Sequence, residues 1–486
     1  MTAITDTGDS QVENVGVFSR LPEEHLHRGM QHPSGGELNH SSSTESFFMG
    51  VNVKRIGILA CILAVCFVST VWGQVLGPKS HLGRRVQQGM ANRTSTTPSV
   101  TSRRFNTQTN PSKEATIWEL GTYPGGTWAG LGGINDFGVA IGFGDVPPIG
   151  DDGVGYTHTL AVSLFGPHAG EWIDLGTLGG ELSRGWEEPY WFGIADTGLI
   201  VTHSVMPDGQ VHAAAWTAQS GLFDLGTLAD TGNPKYRGYN SSYASATNRS
   251  GTLIVGWSGL NGGEDTPVVW TASWAWNNGR PINKWHIHAL DTRGFPKLEW
   301  QPGAVNDYGQ IMGFALDTEE TFAIPLLWNR SPDGQSWKLM VLPYIDNSEY
   351  PYVLPFGIDR KGNITGAINS ADGSSWLARL WKPLNVSRTR YSLPIELPIP
   401  DGYAGCEAVA INELGDITGD CYNDVTDLPA RWALHNLTFS EIINIPGDWG
   451  LSIAINNNRI TVLTYGGSLA CPSDTFGSCG GAIQIH

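Results

Sequence analysis

A short phrase, in which an apolar residue is followed by Asn or Asp and closed by Gly, returns at intervals through most of the chain. Its glycine, or the asparagine that replaces it in the last copy, stands at positions 138, 198, 251, 309, 362, 415 and 458. An Asn or Asp side chain opens a type I turn by bonding its own backbone, and Gly takes the left-handed position that closes the loop. The phrase therefore predicts seven β-hairpins, 43 to 60 residues apart.

Two further phrases recur in fixed order with these hairpins. One is an apolar strand that ends in Asp-Leu-Gly-Thr, as at Asp174–Thr177 and Asp224–Thr227; the other is an apolar strand that ends in Trp, as at Trp270 and Trp328. Together they divide the chain into units of about four short strands in roughly 50 residues, close to the length of a propeller blade. The sequence predicts an all-β fold, a seven-bladed β-propeller over residues 116–486.

The two ends of this region are out of phase with the repeat. The chain enters at Ile117–Thr122 with the end of a unit, and it stops at Gly481–Ile485 just after a third phrase. If these strands pair in one sheet, the last edge of the propeller is buried. We therefore expect the final blade to be shared by both ends of the region.

The sequences of these phrases are similar to those of a known family. Asp174–Gly180 (Asp-Leu-Gly-Thr-Leu-Gly-Gly), Ile134–Gly138 and Ala213–Trp216 resemble the bacterial extracellular HAF repeat. The resemblance covers nearly all of residues 117–486 and is most specific in the first three or four repeats. It implies an exported repeat protein and supplies no catalytic residues.

An apolar stretch, Ile56–Trp72, follows Lys54 and Arg55 and precedes the small residue Gly73. Basic start, apolar middle and small last residue are the pattern of a secretory signal peptide cut after Gly73. Initiation at Met49 would make this an ordinary signal peptide.

The alternative is a signal-anchor helix at residues 49–73 behind a cytoplasmic tail, residues 1–48. Residues 74–115 are rich in Ser, Thr, Arg and Gln and are predicted to be a disordered tether. Both alternatives place the repeats outside the cytoplasm, secreted, periplasmic or anchored by a single span.

The net charge of −17 falls mainly on residues 116–486, since residues 49–115 are basic. An acidic domain repels phosphate backbones, so nucleic acid is not an expected partner. The membrane is expected to be contacted only through residues 56–72 if they stay uncleaved, and the propeller is expected to be a monomer.

Four of the six cysteines lie in the repeat region. Cys406 and Cys421 flank the sixth hairpin symmetrically, so antiparallel register places them opposite one another, close enough to bridge. Cys471 and Cys479 would close a small C-terminal loop. We expect two structural disulfides, as an oxidising compartment allows.

The segments that enter each hairpin carry aromatic residues and should emerge on one face. Aromatic rings with interspersed charges are typical of glycan or peptide sites, although the same rings could wedge between blades. The candidate ligand-binding residues come from the second and third repeats: Trp186, Glu187, Glu188, Tyr190, Trp191, Tyr236, Arg237 and Tyr239. The predicted partner is a glycan or a protein on this face.

No phosphate loop, nucleophile elbow or zinc-protease motif is present, so a non-enzymatic binding or scaffold module is favoured and no cofactor or metal is predicted. The alternative is a glycan- or peptide-active enzyme that uses Glu187 and Glu188. His286 and His288 share a strand face but lack a third metal ligand. Asp145, with Asp151 and Asp152, could bind Ca²⁺, although solvated acids explain them as well.

Overall fold

The hairpin phrases form hairpins. The computed structural model describes residues 101–106, 114–148, 155–184, 193–260, 265–277, 280–293, 298–317, 322–344, 352–370, 374–445, 449–466 and 479–485. Within them, each Asn or Asp turn joins two antiparallel strands, and these hairpins are extended into sheets by the phrases that follow. The predicted all-β, seven-bladed propeller is confirmed.

Six sheets have four strands each, all antiparallel. Blades one to three contain β3 (Ala129–Ile134), β4 (Val139–Val146), β5 (Tyr156–Ser163), β6 (Trp172–Asp174); β7 (Ser183–Arg184), β8 (Ile200–Val205), β9 (Val211–Thr217), β10 (Gly221–Asp224); and β11 (Ser241–Thr247), β12 (Leu253–Gly259), β13 (Asp265–Asn277), β14 (Arg280–Ala289). Blades four to six contain β15 (Leu298–Val305), β16 (Ile311–Asp317), β17 (Ala323–Arg330), β18 (Trp337–Val341); β19 (Val353–Ile358), β20 (Ile364–Asn369), β21 (Trp376–Trp381), β22 (Ile395–Glu396); and β23 (Gly405–Ile411), β24 (Asp416–Tyr422), β25 (Asp427–Ala433), β26 (Asn436–Ile442).

The seventh sheet closes the ring and uses both ends of the region. It has the order β1-β2-β29-β28-β27, with strands β1 (Thr101–Asn106), β2 (Glu114–Gly121), β27 (Trp449–Ile455), β28 (Ile460–Gly466) and β29 (Cys479–Ile485). Strand β2 pairs with β29, as the phase of the repeat predicts, and in the register of this pair Ile117 lies opposite Ile483. Strand β1 falls inside the segment assigned to the tether, so the sheet begins before the predicted boundary at residue 116.

The repeated tryptophans of blades three to six join each of these blades to the one before it. The indole N–H of Trp270 donates to the carbonyl of Leu225 at 3.0 Å, across the interface between blades three and two. Trp328, Trp381 and Trp432 donate in the same way to the end of the preceding repeat, and all four rings are fully buried. The Trp phrase and the preceding Asp-Leu-Gly phrase are thus two halves of one interface.

The last turn differs from its prediction. Glycines close the first six turns with positive φ, for example Gly138 at 75°. In the seventh turn the left-handed residue is Arg459, with φ of 61°, and not Asn458. Asn456 is the first residue of that turn and accepts from the N–H of Asn458 and Ile460, so the fourth position is occupied by Arg459. The prediction relied on the general preference of Asn for left-handed backbone, and it therefore placed the left-handed residue of this turn one position too early.

Cys406 and Cys421 form the predicted disulfide, with an S–S distance of 2.01 Å. They are cross-strand partners in the sixth hairpin, and a buried disulfide points to an oxidising compartment. Cys479 is also disulfide-bonded. Its predicted partner, Cys471, lies outside the described residues.

The described helices are two short 3₁₀ turns, Leu228–Thr231 and Pro234–Tyr236. Neither is long and apolar enough to cross a membrane. The apolar segment 56–72 lies outside the described residues, as do the tail at residues 1–48 and most of the tether.

Candidate functional site at the channel mouth

The seven hairpin turns meet around a central channel. The first strands of blades three, four, five, six, seven and one contact one another in that order, so these strands lie innermost. Because the strands of a blade are antiparallel, the hairpin turns emerge on the same side as the connections between third and fourth strands. We call this side the hairpin face, and the opposite side, with the connections between blades, the loop face.

The turns form an unbroken ring of hydrogen bonds on the hairpin face. The side-chain amide of Asn412 donates to the carbonyl of Asn456 at 2.9 Å. That of Asn456 donates to the carbonyl of Asn135 at 2.9 Å, which joins blade seven to blade one. The other neighbours are joined through Asp136 N–H to Asp196, Asp196 N–H to Arg249 O, Ser250 N–H to Asp307, Asn306 amide to Asp359 O and Arg360 N–H to Glu413.

The turns favour Asn at their first position because the amide has two functions. The side-chain oxygen of Asn135 accepts from Phe137 N–H at 3.1 Å and from Val139 N–H at 2.9 Å, which closes its own turn. Its NH₂ group donates to the carbonyl of Ala195 in the next blade at 3.2 Å. Aspartate could accept but not donate. The sequence predicted the first function and did not reveal the second.

The second residue of every turn lies at the mouth of the channel. The first and fourth residues of the turns are nearly constant, whereas the second residue varies. The seven second residues are Asp136, Asp196, Arg249, Asp307, Arg360, Glu413 and Asn457. With Thr197 and Ser250 they line an open cavity of about 420 Å³. The mouth thus offers carboxylates, guanidinium groups, hydroxyls and an amide within one concave surface.

Arg249 spans this mouth. Its guanidinium lies 2.8 Å from Asp136 of blade one and 3.6 Å from Glu413 of blade six. Burial acts to raise the pKa of Asp136, but the Asn457 N–H and the Arg249 guanidinium together hold that pKa below its ordinary value. At Glu413 burial prevails and raises the pKa, against bonds from Arg360 and attraction to Arg249. The same arginine, from blade three, therefore supports carboxylates of two other blades, one and six.

Of the ligand-binding residues predicted from sequence, the three from the third repeat, Tyr236, Arg237 and Tyr239, belong to the loop face. Tyr236 is 9% exposed and packs in the core of blade three, against Tyr239. Tyr239 is half-buried and Arg237 is exposed. The cluster from the second repeat lies outside the described residues: Trp186, Glu187, Glu188, Tyr190 and Trp191.

Asp145 acts as a structural anchor. This fully buried carboxylate accepts from the N–H and hydroxyl of Thr127 and from the N–H of Trp128, at 2.6 to 2.9 Å. Asp151 and Asp152, the other two acids of the Ca²⁺ hypothesis, lie outside the described residues. His286 and His288 each lie beside a hydroxyl, Ser273 and Thr271 respectively. Among the described residues, no group of side chains could hold a metal ion.

A buried acidic group near the loop face was not foreseen. Glu407 and Asp420 are cross-strand partners in blade six, and Asp427 starts the next strand. Asp420 is fully buried, and neither of its oxygens has a hydrogen-bond partner among the described residues. Burial, followed by repulsion from Asp427 and Glu407, raises its pKa well above the ordinary value. Burial raises the pKa of Asp427 to about 7.

The mouth was missed because it is made by seven positions far apart in sequence. A signal was present, since the second turn residue varies in charge while the first and fourth are nearly fixed. That variation indicates a binding site only when the seven turns are known to meet at one place.

Comparison with known proteins gives likeness in fold alone. No family model and no curated protein matches this sequence, so the HAF-repeat resemblance stays a hypothesis. Among solved structures, the β-propeller domain of the trilobed protease from Pyrococcus furiosus has 8% identity and a TM-score of 0.44, over 71% of this chain and 92% of that chain. A catalytically inactive virginiamycin B lyase from Staphylococcus aureus has 11% identity and a TM-score of 0.41, over 76% and 99%. Trypanosoma rangeli sialidase has 10% identity and a TM-score of 0.35, over 75% of this chain and 59% of that one.

Proposed function

We propose that the protein is an extracytoplasmic, non-enzymatic binding module that takes a glycan at the channel mouth. The observation that carries the proposal is the 420 Å³ cavity, which is lined by the variable turn residues. A glycan presents many hydroxyls, each both donor and acceptor, and the mouth provides partners of both kinds. Exposed rings flank it at Phe137 and Tyr308, 69% and 50% exposed, where sugar faces could pack.

The described carboxylates of the mouth support binding more than catalysis. Asp136 accepts from two groups of Asn457 and pairs with Arg249. Glu413 accepts from the Arg360 N–H. A general acid or base has to exchange a proton with the substrate, and both of these groups are engaged by the ring that holds the turns together.

A glycan array with the purified full chain tests this function, followed by calorimetric titration of the best ligand. We expect Thr197→Val and Ser250→Ala, which remove hydroxyls at the mouth, to weaken binding together by about tenfold, the cost of one or two hydrogen bonds. Lys338→Gln, on the outer strand of blade four, is the control. Absence of glycan binding, or full affinity in the double variant, would reject the site.

The loop face remains a second proposed site, since Arg237 is exposed there beside the half-buried Tyr239. Loss of glycan binding on Arg237→Gln, with Thr197→Val and Ser250→Ala silent, would move the ligand to that face. The enzymatic alternative also stays a prediction. Turnover of a polysaccharide that disappears in the double variant Glu187→Gln, Glu188→Gln would establish it.

A further inference from the structure

One arginine beside the mouth, Arg388, is held in a fixed position by its neighbours. The Arg388 guanidinium lies 3.9 Å from the centre of the Tyr308 ring. Its Nε donates to the carbonyl of Lys361 at 3.0 Å. Gly362 makes room for this arrangement, because a Cβ there would lie 2.8 Å from the Arg388 side chain. An arginine fixed in this way loses little conformational entropy when it binds a planar anion.

More positive charge gathers around Arg388. The Arg360 guanidinium lies 5.8 Å from the centre of the same Tyr308 ring, and Lys361 and Arg390 are exposed nearby. The bonds from Arg388, then from Arg360, hold the pKa of Tyr308 below its ordinary value. We call Tyr308, Arg360, Lys361, Arg388 and Arg390 the basic platform.

Within the described residues, this charge is not compensated by ion pairs. In the part of the chain that the structure describes, no carboxylate lies within salt-bridge distance of Arg360, Lys361, Arg388 or Arg390. The nearest buried acid, Asp359, accepts from the N–H and amide of Asn363, at 2.8 and 2.7 Å. Among the described residues, four cations without an ion pair thus lie close together in a protein whose net charge is −17.

We propose that the basic platform binds the acidic groups of a polysaccharide, so that the ligand at the channel mouth is an anionic glycan. This inference rests on the proposed function and names its ligand class. The two candidate sugar acids, a uronate carboxylate and a sulfate ester, share an oxyanion. A guanidinium can bind such a group through two parallel hydrogen bonds.

The surroundings favour a narrow polymer over an anionic membrane. Arg360 belongs both to the platform and to the lining of the mouth, so one chain can bind the platform with its acids and the mouth with its hydroxyls. A flat lipid surface would also meet the four carboxylates of the mouth, Asp136, Asp196, Asp307 and Glu413. A glycan strand can avoid them.

The test compares four ligands on the full chain: polygalacturonate for carboxylates, dextran sulfate for sulfates, unmodified dextran, and vesicles rich in phosphatidylglycerol. We expect an acidic polymer to bind at least tenfold more tightly than dextran, with added salt weakening it. Arg388→Gln should lower that affinity by about tenfold or more, the cost of a charge-assisted hydrogen bond. Arg388→Lys should recover only part of it, and Lys338→Gln should have no effect. Unfolding curves of the variants confirm that they fold.

Each of the remaining outcomes would overturn one part of the proposal. Equal binding of dextran and acidic polymers, or an unchanged affinity in folded Arg388→Gln, overturns the platform and leaves the mouth as a glycan site. Binding of vesicles alone, lost in Arg388→Gln, overturns the polysaccharide in favour of a membrane. Binding of none of the four, together with a blank glycan array, overturns the proposed function as well.

Discussion

At the scale of single residues, two buried aspartates show how environment decides the role of a carboxylate. Asp145 and Asp420 are both 0% exposed. Asp145 accepts four hydrogen bonds, from Thr127, Trp128 and Gly155. Asp420 has no partner within the described region and lies near two other acids. The first should stabilise the fold as an anion, whereas the second should be tolerated only while it stays protonated.

This contrast predicts opposite effects for the same substitution. Asp420→Asn should stabilise the protein at pH 8 by about 1–3 kcal/mol, because the carboxyl group has to take up a proton when it is buried, whereas the amide is neutral in both states. Asp145→Asn should destabilise it by a similar amount, because an amide NH₂ would face the Gly155 N–H and the Thr127 hydroxyl. Urea unfolding of both variants measures the difference. Equal destabilisation would show that Asp420 is not an unpaired buried acid.

The same group predicts a direction for pH dependence. The folded pKa of Asp427 is about 7, above its ordinary value of 3.8, and that of Asp420 is raised too. The folded state therefore retains protons that the unfolded chain has released. Their stabilisation is complete below pH 3.8 and is lost as the pH rises through about 7. Melting curves should show this fall in the parent, and a shallower one in Asp420→Asn.

At the scale of elements, the repeats are joined by side chains that belong to different phrases. The Trp432 indole N–H donates to the carbonyl of Pro398 at 2.8 Å, between blades six and five. In blade two the equivalent Trp216 is half-buried, and no hydrogen bond of its indole is found among the described residues. The same sequence phrase, a strand that ends in Trp, therefore contributes differently to the interfaces of different blades.

Trp432→Phe should accordingly cost more than Trp216→Phe. Phenylalanine retains most of the apolar surface but leaves the Pro398 carbonyl without its donor, at a cost of about 1–3 kcal/mol. The matched change at Trp216 should fall below about 1 kcal/mol. Guanidinium unfolding of the two variants provides the comparison, and equal losses would mean that packing alone stabilises the interfaces.

Hairpins could be read from the sequence because their determinants are local. Asn135 and Gly138 make one turn within four residues, and the phase of the repeat was enough to pair the strand at Ile117–Thr122 with the strand at Gly481–Ile485. Contacts between distant residues could not be read. The Arg249–Asp136 pair joins blades three and one, and the stacking of Arg388 on Tyr308 joins blades five and four, so both need the ring of blades to be in place. The mouth and the platform therefore emerged only with the fold.

At the scale of the whole molecule, the ring is closed at two levels. Strand β2 from the N-terminal side pairs with β29 from the C-terminal end. On the hairpin face, Asn456 and Asn457 bond to the first turn, at Asn135 and Asp136. This double closure holds the seven second-position residues in one rim. A rigid rim is what a preorganised binding site requires.

Hydrogen–deuterium exchange with and without the best-binding polysaccharide shows whether the ligand binds the hairpin face. If it does, we expect protection in the turns around residues 248–251, 306–309 and 359–362 and in the segment 385–390. We expect no change in the loop-face segment 228–240. Protection confined to 228–240, with the turns unaffected, would contradict binding at the hairpin face.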